Sequence, residues 1–272
     1  MQSSALTVEL VTNPAISSIT ATALGCGVTP DIARRAADNV VAKRVSGLLL
    51  SGRQGAGKDT VAPLVMERLE IPAVQVRVSQ AIRAEMDIAI AYVSSHSRPN
   101  AADLIAADLG LDVVHAAALV DVLWDATRAP GHGVTAYSRT AEVRRALQYH
   151  GLESRVASDP TYWVRACFKC VVEHLAEGTS VFLTDSRFPN EVDTARALGM
   201  FSVRLVVDPL VQTARITARD GAPPDLATLD HPGERVLDDY TGFDLVIDNS
   251  NDVDTTVTAV AEQFATFLHA SV

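Results

Sequence analysis

The sequence predicts a three-layer α/β fold, a five-stranded parallel sheet with helices on both faces. Two observations predict it. The apolar run Val45 to Leu50 ends in a glycine-rich turn, after which Val61, Leu64, Val65 and Leu69 recur on one helical face, so the chain reads strand, loop, helix. Downstream, short apolar runs keep alternating with helical ones, and parallel neighbouring strands need such crossovers.

In chain order, Thr29-Pro30 supplies an N-cap and first-turn pair for a helix in which Ile32, Ala36 and Val40 recur through about Val41. Residues 1–44 therefore read as a helical appendage ahead of the loop, with a disordered start before about residue 28 as an alternative, serving either to cover a sheet edge or to make a subunit contact such as that of a homodimer. After the first core helix, Val74 to Val78 alternates as a strand, and Ser79 caps a helix to about Val93. Ser94 to Asn100 reads as a loop. Helical stretches at about Ala101 to Leu109 and Asp112 to Arg128 are split by Gly110, and Thr140 to Tyr149 is stopped by Gly151. A block of helices is thus inserted between the second and third strands. Asp159-Pro160 opens another helix, with an apolar stripe of Trp163, Val164, Cys167, Val171 and Leu175. Strands follow at Val181 to Asp185, Phe201 to Val207 and Phe243 to Ile247, with helices at Asn190 to Leu198, Pro209 to Arg219 and Asp252 to Leu268.

At 272 residues and 48% hydrophobic the chain can bury a large core. A net charge of −10 with a pI near 5.1 argues against nucleic-acid binding, which needs clustered Lys and Arg. No run approaches the roughly 18 apolar residues of a membrane span, and the start lacks the pattern of a signal peptide, so a cytoplasmic location is expected. Three cysteines are too few for a disulfide framework, and Cys167-Phe-Lys-Cys170, inside a helix with no second pair, reads as two packed side chains rather than a metal site.

Gly52-x-x-x-x-Gly57-Lys58 is the Walker A spacing. Gly52, Arg53, Gln54, Gly55, Ala56 and Gly57 turn backbone N–H groups toward a β-phosphate, the helix N-terminus adds positive potential, and Lys58 reaches the terminal phosphoryl oxygens. Asp59 stands where a Ser or Thr usually binds Mg²⁺ and Thr60 follows, so either can hold the metal. Ligands of open parallel sheets bind beyond the carboxyl ends of the strands. There the chain carries Asp185, a carboxylate able to hold Mg²⁺ or to cap a helix; Arg187, whose fork suits phosphate; and Asp248 and Asn249. Arg144 and Gln148 share a helix face, with Arg155 shortly after, a set able to hold a monophosphate and a base edge or to form a solvated basic face. Arg215 and Arg219 lead into the loop Gly221 to Gly233, as lid arginines or as cations favoured at a helix C-terminus.

Together these residues resemble the deoxynucleoside monophosphate kinases of tailed bacteriophages, within the P-loop nucleoside monophosphate kinase superfamily. Four segments carry the resemblance: Ser51-Gly-Arg-Gln-Gly-Ala-Gly-Lys-Asp-Thr60, Arg145-Ala-Leu-Gln-Tyr-His-Gly151, Thr184-Asp-Ser-Arg-Phe-Pro-Asn-Glu-Val192, and His231-Pro-Gly-Glu234 through Phe243-Asp-Leu-Val-Ile-Asp-Asn249. It runs over about residues 45–268 and is weakest over about 85–138. It implies a P-loop kinase domain at 45–272, with a helical monophosphate-binding insert at about 79–158 and a lid at about 215–234. The implied reaction transfers the ATP γ-phosphoryl group, with Mg²⁺, to a deoxynucleoside monophosphate, in the host cytoplasm for a phage-encoded chain. Gly52 to Thr60 would bind ATP phosphates and Mg²⁺. Arg145, Gln148, Asp185 and Arg187 would line the acceptor side, Arg215 and Arg219 the lid, and Asp248 and Asn249 the ATP base. Kinases acting on dephospho-coenzyme A or phosphomevalonate are the nearest rivals, and the Arg-Phe-Pro-Asn-Glu segment favours the nucleotide. A nucleotide-binding protein without transfer is the rival from another class.

Overall fold

The computed structural model describes residues 13–128, 133–138, 140–154, 159–224, 229 and 232–270. Its centre is a five-stranded all-parallel sheet, β1 (Gly47–Ser51), β2 (Ala73–Val76), β3 (Ser180–Ser186), β4 (Phe201–Val206) and β5 (Leu245–Asp248), in the order β2-β3-β1-β4-β5. The strand that ends in the glycine-rich loop is therefore the middle one. Leu49 is in register with Leu183 of β3 on one side and Ser202 of β4 on the other.

Alternation along β1 divides the core. Leu48 and Leu50 face α3 (Lys58–Arg68) and α12 (Val253–His269), where Val61, Val65, Val260 and Phe264 close over them with Phe182, Val203 and Leu205. Leu49 faces the opposite layer with Val181 and Leu183, under α8 (Tyr162–Ala176) and α9 (Pro189–Ala197). All three leucines are fully buried, each contributing about 1.5–3 kcal/mol. This is the three-layer α/β class expected, with helices on both faces. One assignment is corrected: Leu64 is exposed, and Ala62 and Met66 complete the buried face of α3 beside Val61 and Val65. The reason is that α3 is packed by both the sheet and α12, which turns its buried stripe toward the 61, 62, 65, 66 side.

The N-terminal region is more structured than the sequence suggested. Besides α2 (Pro30–Val41), whose N-cap Thr29 accepts from Ile32 N–H, a helix α1 (Pro14–Gly25) starts at Asn13. The two pack on each other, and Ala33, Ala36 and Ala37 are wholly buried in the same core cluster as Val171 and Leu175. Asn39 donates to the carbonyls of Leu175 and Ala176, closing the C-terminal end of α8. The appendage thus extends one helical layer of the core rather than capping a sheet edge.

The block between β2 and α8 is helical as expected: α4 (Val78–Ser95), α5 (Arg98–Leu109), α6 (Val113–Leu123) and α7 (Ala141–Gln148), then a π turn at Tyr149–Ser154. It has its own apolar cluster of Met86, Ile90, Val93, Ile105, Leu119 and Leu123. After β4 come α10 (Pro209–Asp220), ended by Gly221 in the left-handed region, and a short α11 (Pro232–Arg235) in what the sequence read as loop. Among the described residues no helix is long and apolar enough to cross a membrane.

The close fit of α2 is testable. Ala36→Leu should lower stability by about 1–3 kcal/mol through overpacking. Urea unfolding of the variant measures it, and an unchanged midpoint would contradict a tightly packed appendage.

Candidate functional site

The turn from β1 into α3 is shaped by backbone that glycine alone adopts without strain. Gly55 and Gly57 lie at φ 80° and 90°, in the left-handed region. At Gly57 a Cβ would also come within 2.5 Å of the Asn249 amide nitrogen, and at Gly52 within 2.9 Å of the Leu205 carbonyl oxygen. The loop is clamped from outside: Asn249, itself buried, donates to the Ala56 carbonyl at 2.8 Å, and Gln212 of α10 donates to the Gln54 carbonyl at 2.6 Å. With those carbonyls engaged, the N-terminus of α3 lies at the floor of the turn, a setting that suits an anion.

A cleft of about 580 Å³ opens over this turn. Gln54, Gly55, Gly57, Lys58, Asp59 and Thr60 form its floor, Asp185 and Arg187 one wall, and Arg215, Arg219 and Asn249 the other. Five cations, Arg77 with Lys58, Arg187, Arg215 and Arg219, therefore face one cavity in a chain whose net charge is −10. Burial lowers the Lys58 ammonium below its ordinary pKa and Arg187 adds to this, against the carboxylates of Asp59, Glu234 and Asp185. One Arg215 guanidinium nitrogen, Nη1, is buried without a hydrogen-bond partner among the described residues, and a Cβ on Gly57 would be 3.9 Å from it. An unsatisfied cationic donor beside the loop is the arrangement an anion completes.

The carboxylates have distinct tasks. Asp185 accepts from the N–H groups of Val78 at 2.8 Å and Ser79 at 2.9 Å, one with each oxygen. It thereby caps α4, taking the place read for Ser79, because the N-cap position is Arg77, two residues earlier than the Ser-led pattern indicated. Asp59 accepts the Thr184 hydroxyl at 2.7 Å and pairs with Arg77 through the same oxygen, Oδ1. Its other oxygen and the Thr60 hydroxyl have no partner among the described residues, so these two oxygens on the cleft floor could hold a divalent cation. No group of three His, Cys, Asp or Glu side chains converges on a metal position among the described residues. A Mg²⁺ ion held by one or two protein oxygens plus substrate phosphates needs no such cage.

Several expected residues are elsewhere. The Arg53 side chain turns to Asp238, and Asp248 accepts from its neighbour Ser250, so neither lines the cleft. Arg144, Arg145 and Gln148 are exposed on α7, which turns Val143 and Ala146 inward instead. Arg155 and His231 lie outside the described residues. Cys167 is buried in α8, where burial pushes its thiol well up.

Two residues that sequence reasoning did not assign to the site support Arg187. Glu234 pairs with its guanidinium and accepts Gln54 N–H at 3.0 Å; burial raises the Glu234 carboxyl, but Arg187, that amide and Lys58 outweigh it and hold it below its ordinary value. Glu191, almost wholly buried, accepts the N–H groups of Arg187 at 2.6 Å and Phe188 at 3.1 Å. The signal for Glu191 was its place three residues into α9, where a carboxylate folds back on the helix start.

No protein-family model matches the chain. Over 111 residues it is 31% identical to the uncharacterised protein ORF77 of Ictalurid herpesvirus 1 (strain Auburn), taking in 40% of this chain and 41% of that protein. The chain thus spans about two fifths of the curated relative it matches. Among solved structures, an uncharacterised protein from Eubacterium ventriosum ATCC 27560 aligns with a TM-score of 0.38 at 12% identity, over 81% of this chain and 98% of that one.

Glu191 gives a pH prediction. Burial pushes its carboxyl up to about 7, with the two amides offsetting only part. A carboxyl raised in the folded state contributes stability that is full below its unfolded value near 4.5 and is lost as pH rises through about 7. Glu191→Gln removes that proton equilibrium, so the stability difference between wild type and variant should move against the wild type by roughly 3 kcal/mol between those limits. Urea unfolding at a series of pH values measures it, and a pH-independent difference would refute the burial argument.

Proposed function

We propose that this chain is an ATP-dependent deoxynucleoside monophosphate kinase, passing the ATP γ-phosphoryl group to a dNMP to yield dNDP and ADP. The observation that carries the reading is the convergence of Lys58, Arg187, Arg215 and Arg219 on one cleft above the glycine loop. Phosphoryl transfer asks a protein mainly for positioning and charge neutralisation, and this cleft offers both.

In this reading the loop amides and Lys58 hold the ATP phosphates, and Arg215 and Arg219 approach from α10. Arg187, on the opposite wall, orients the acceptor phosphate. An oxygen of that phosphate, already ionised near neutral pH, attacks the γ-phosphorus while the bond to the β–γ bridging oxygen breaks and ADP departs. No general base is required. Asp59 and Thr60 fit Mg²⁺, which when bound draws negative charge from the phosphoryl oxygens. Asp185 acts by setting the start of α4, where the N-cap residue Arg77 and Ser79 border the cleft. A cytoplasmic enzyme acting on small molecules, with neither nucleic acid nor membrane as partner, agrees with the acidic composition.

One observation favours a second acceptor class. Because Arg144, Arg145 and Gln148 are exposed on α7 outside the cleft, Arg187 is, among the described residues, the one cation of the expected acceptor set that lines it, and it would also suit phosphomevalonate or the diphosphate of dephospho-coenzyme A, whose attacking group is a hydroxyl. ADP release from ATP and Mg²⁺, with each dNMP, ribonucleotide, dephospho-coenzyme A and phosphomevalonate offered separately, decides between them. Turnover with dNMPs alone is the expected result; tight ATP binding without turnover on any acceptor would leave a nucleotide-binding protein.

Lys58→Ala should nearly abolish transfer while the fold survives, since the side chain faces the cleft. Arg187→Ala should lower kcat or raise the acceptor KM, up to the ~10³-fold or more that a catalytic arginine can contribute. Steady-state kinetics beside circular dichroism checks both, and normal turnover by folded Lys58→Ala would discredit the phosphate-loop assignment.

A further inference from the structure

The chain that follows the lid region grips the phosphate loop from behind. Glu234, on α11, accepts Gln54 N–H at 3.0 Å and pairs with the Arg187 guanidinium. Asp238, four residues on, accepts Arg53 Nε at 3.2 Å and Nη2 of the buried Arg204 at 2.9 Å. Arg204 in turn donates to Ser51 Oγ, at the end of β1, at 3.1 Å. Two carboxylates four residues apart, one on α11 and one just beyond it, therefore fasten the end of β1, the first half of the loop and the arginine after β3 to one short segment.

Their placement separates two roles. A carboxylate that competed with a bound anion would face the cavity. Neither Glu234 nor Asp238 lines it, whereas Gln54 and Arg187, the partners of Glu234, do. Glu234 holds both from the far side, and its side chain is only 10% exposed while that of Arg187 is 48% exposed. A long, half-exposed arginine held at one edge of its guanidinium has fewer rotamers left to lose when a phosphate arrives. We propose that residues 234–238 form a strap that keeps the phosphate loop and Arg187 in register, with Glu234 as the positioning residue for Arg187. This rests on the phosphotransferase reading for its effect on turnover, but not for its effect on the loop.

The test uses full-length wild type, Glu234→Ala, Glu234→Gln, Arg187→Ala and the Glu234→Ala/Arg187→Ala double variant. Glu234→Ala should lower kcat/KM for the acceptor on the order of 10²-fold, the scale of small misplacements of a reacting group, with a much smaller change in ATP affinity. The double variant should be no slower than Arg187→Ala, because a residue acting through another adds nothing once that other is gone. Independently, amide hydrogen exchange at Gln54 should accelerate roughly tenfold or more in Glu234→Ala, while the Arg187 and Phe188 amides, held by Glu191, keep their protection. Glu234→Gln, which retains an acceptor oxygen, should recover the Gln54 protection but not the turnover.

Additive losses in the double variant, or wild-type kcat/KM in Glu234→Ala, would overturn the positioning role. Unchanged Gln54 exchange would overturn the strap itself. Should wild type release no ADP with any acceptor, the kinase reading falls alone, and the exchange measurement still judges the strap.

Discussion

The conformation of Gly57 is the constraint on which the rest of the molecule depends. Only a residue without Cβ can hold a φ of 90° there while leaving room for the Asn249 amide that engages the Ala56 carbonyl. With that carbonyl engaged by Asn249, the N-terminus of α3 at Lys58 lies at the floor of the cleft. The central position of β1 serves the same end, because it puts the loop between strand ends that deliver Asp185 and Arg187 on one side and Asn249 on the other. Moving β1 to an edge would lose one of the two walls.

What the sequence revealed and what it hid follow from the range of the interactions. The loop, its strand and its helix were legible because glycine spacing and apolar periodicity are local, and the parallel sheet followed from alternation. The destinations of side chains were less legible. Arg53 reads as a loop cation, yet Asp238, 185 residues away, draws it out of the cleft. Asp185 reads first as a metal ligand, with a helix cap as the alternative, and only the arrival of α4 at the end of β3 engages both its oxygens. Leu64 illustrates the same limit within one helix, since the second neighbour, α12, decides which apolar residues are covered.

The appendage was partly readable. Thr29-Pro30 announces α2, but the alanines that let α2 approach α8 closely carry no periodic signal strong enough to predict a partner. Alanine buries little area of its own, so its contribution here is to allow contact between larger residues on either side, Val171 and Leu175 among them. Asn39, donating to the last carbonyls of α8, is a polar complement that no local pattern would reveal.

The electrostatics of the cleft connect fold and proposed chemistry. Lys58, Arg187, Arg215 and Arg219 are like charges in one cavity, and the fold tolerates them by pairing some from outside: Arg187 with Glu234, Arg219 with Asp220. Lys58 and the inner nitrogen of Arg215 receive less compensation, and burial already works against the charge on Lys58. Binding a polyanion would therefore relieve repulsion as well as form new contacts, and the gain would grow with the number of phosphate charges between the two walls. On the proposed reading, two phosphorylated ligands held between the walls would gain more from these charges than either alone.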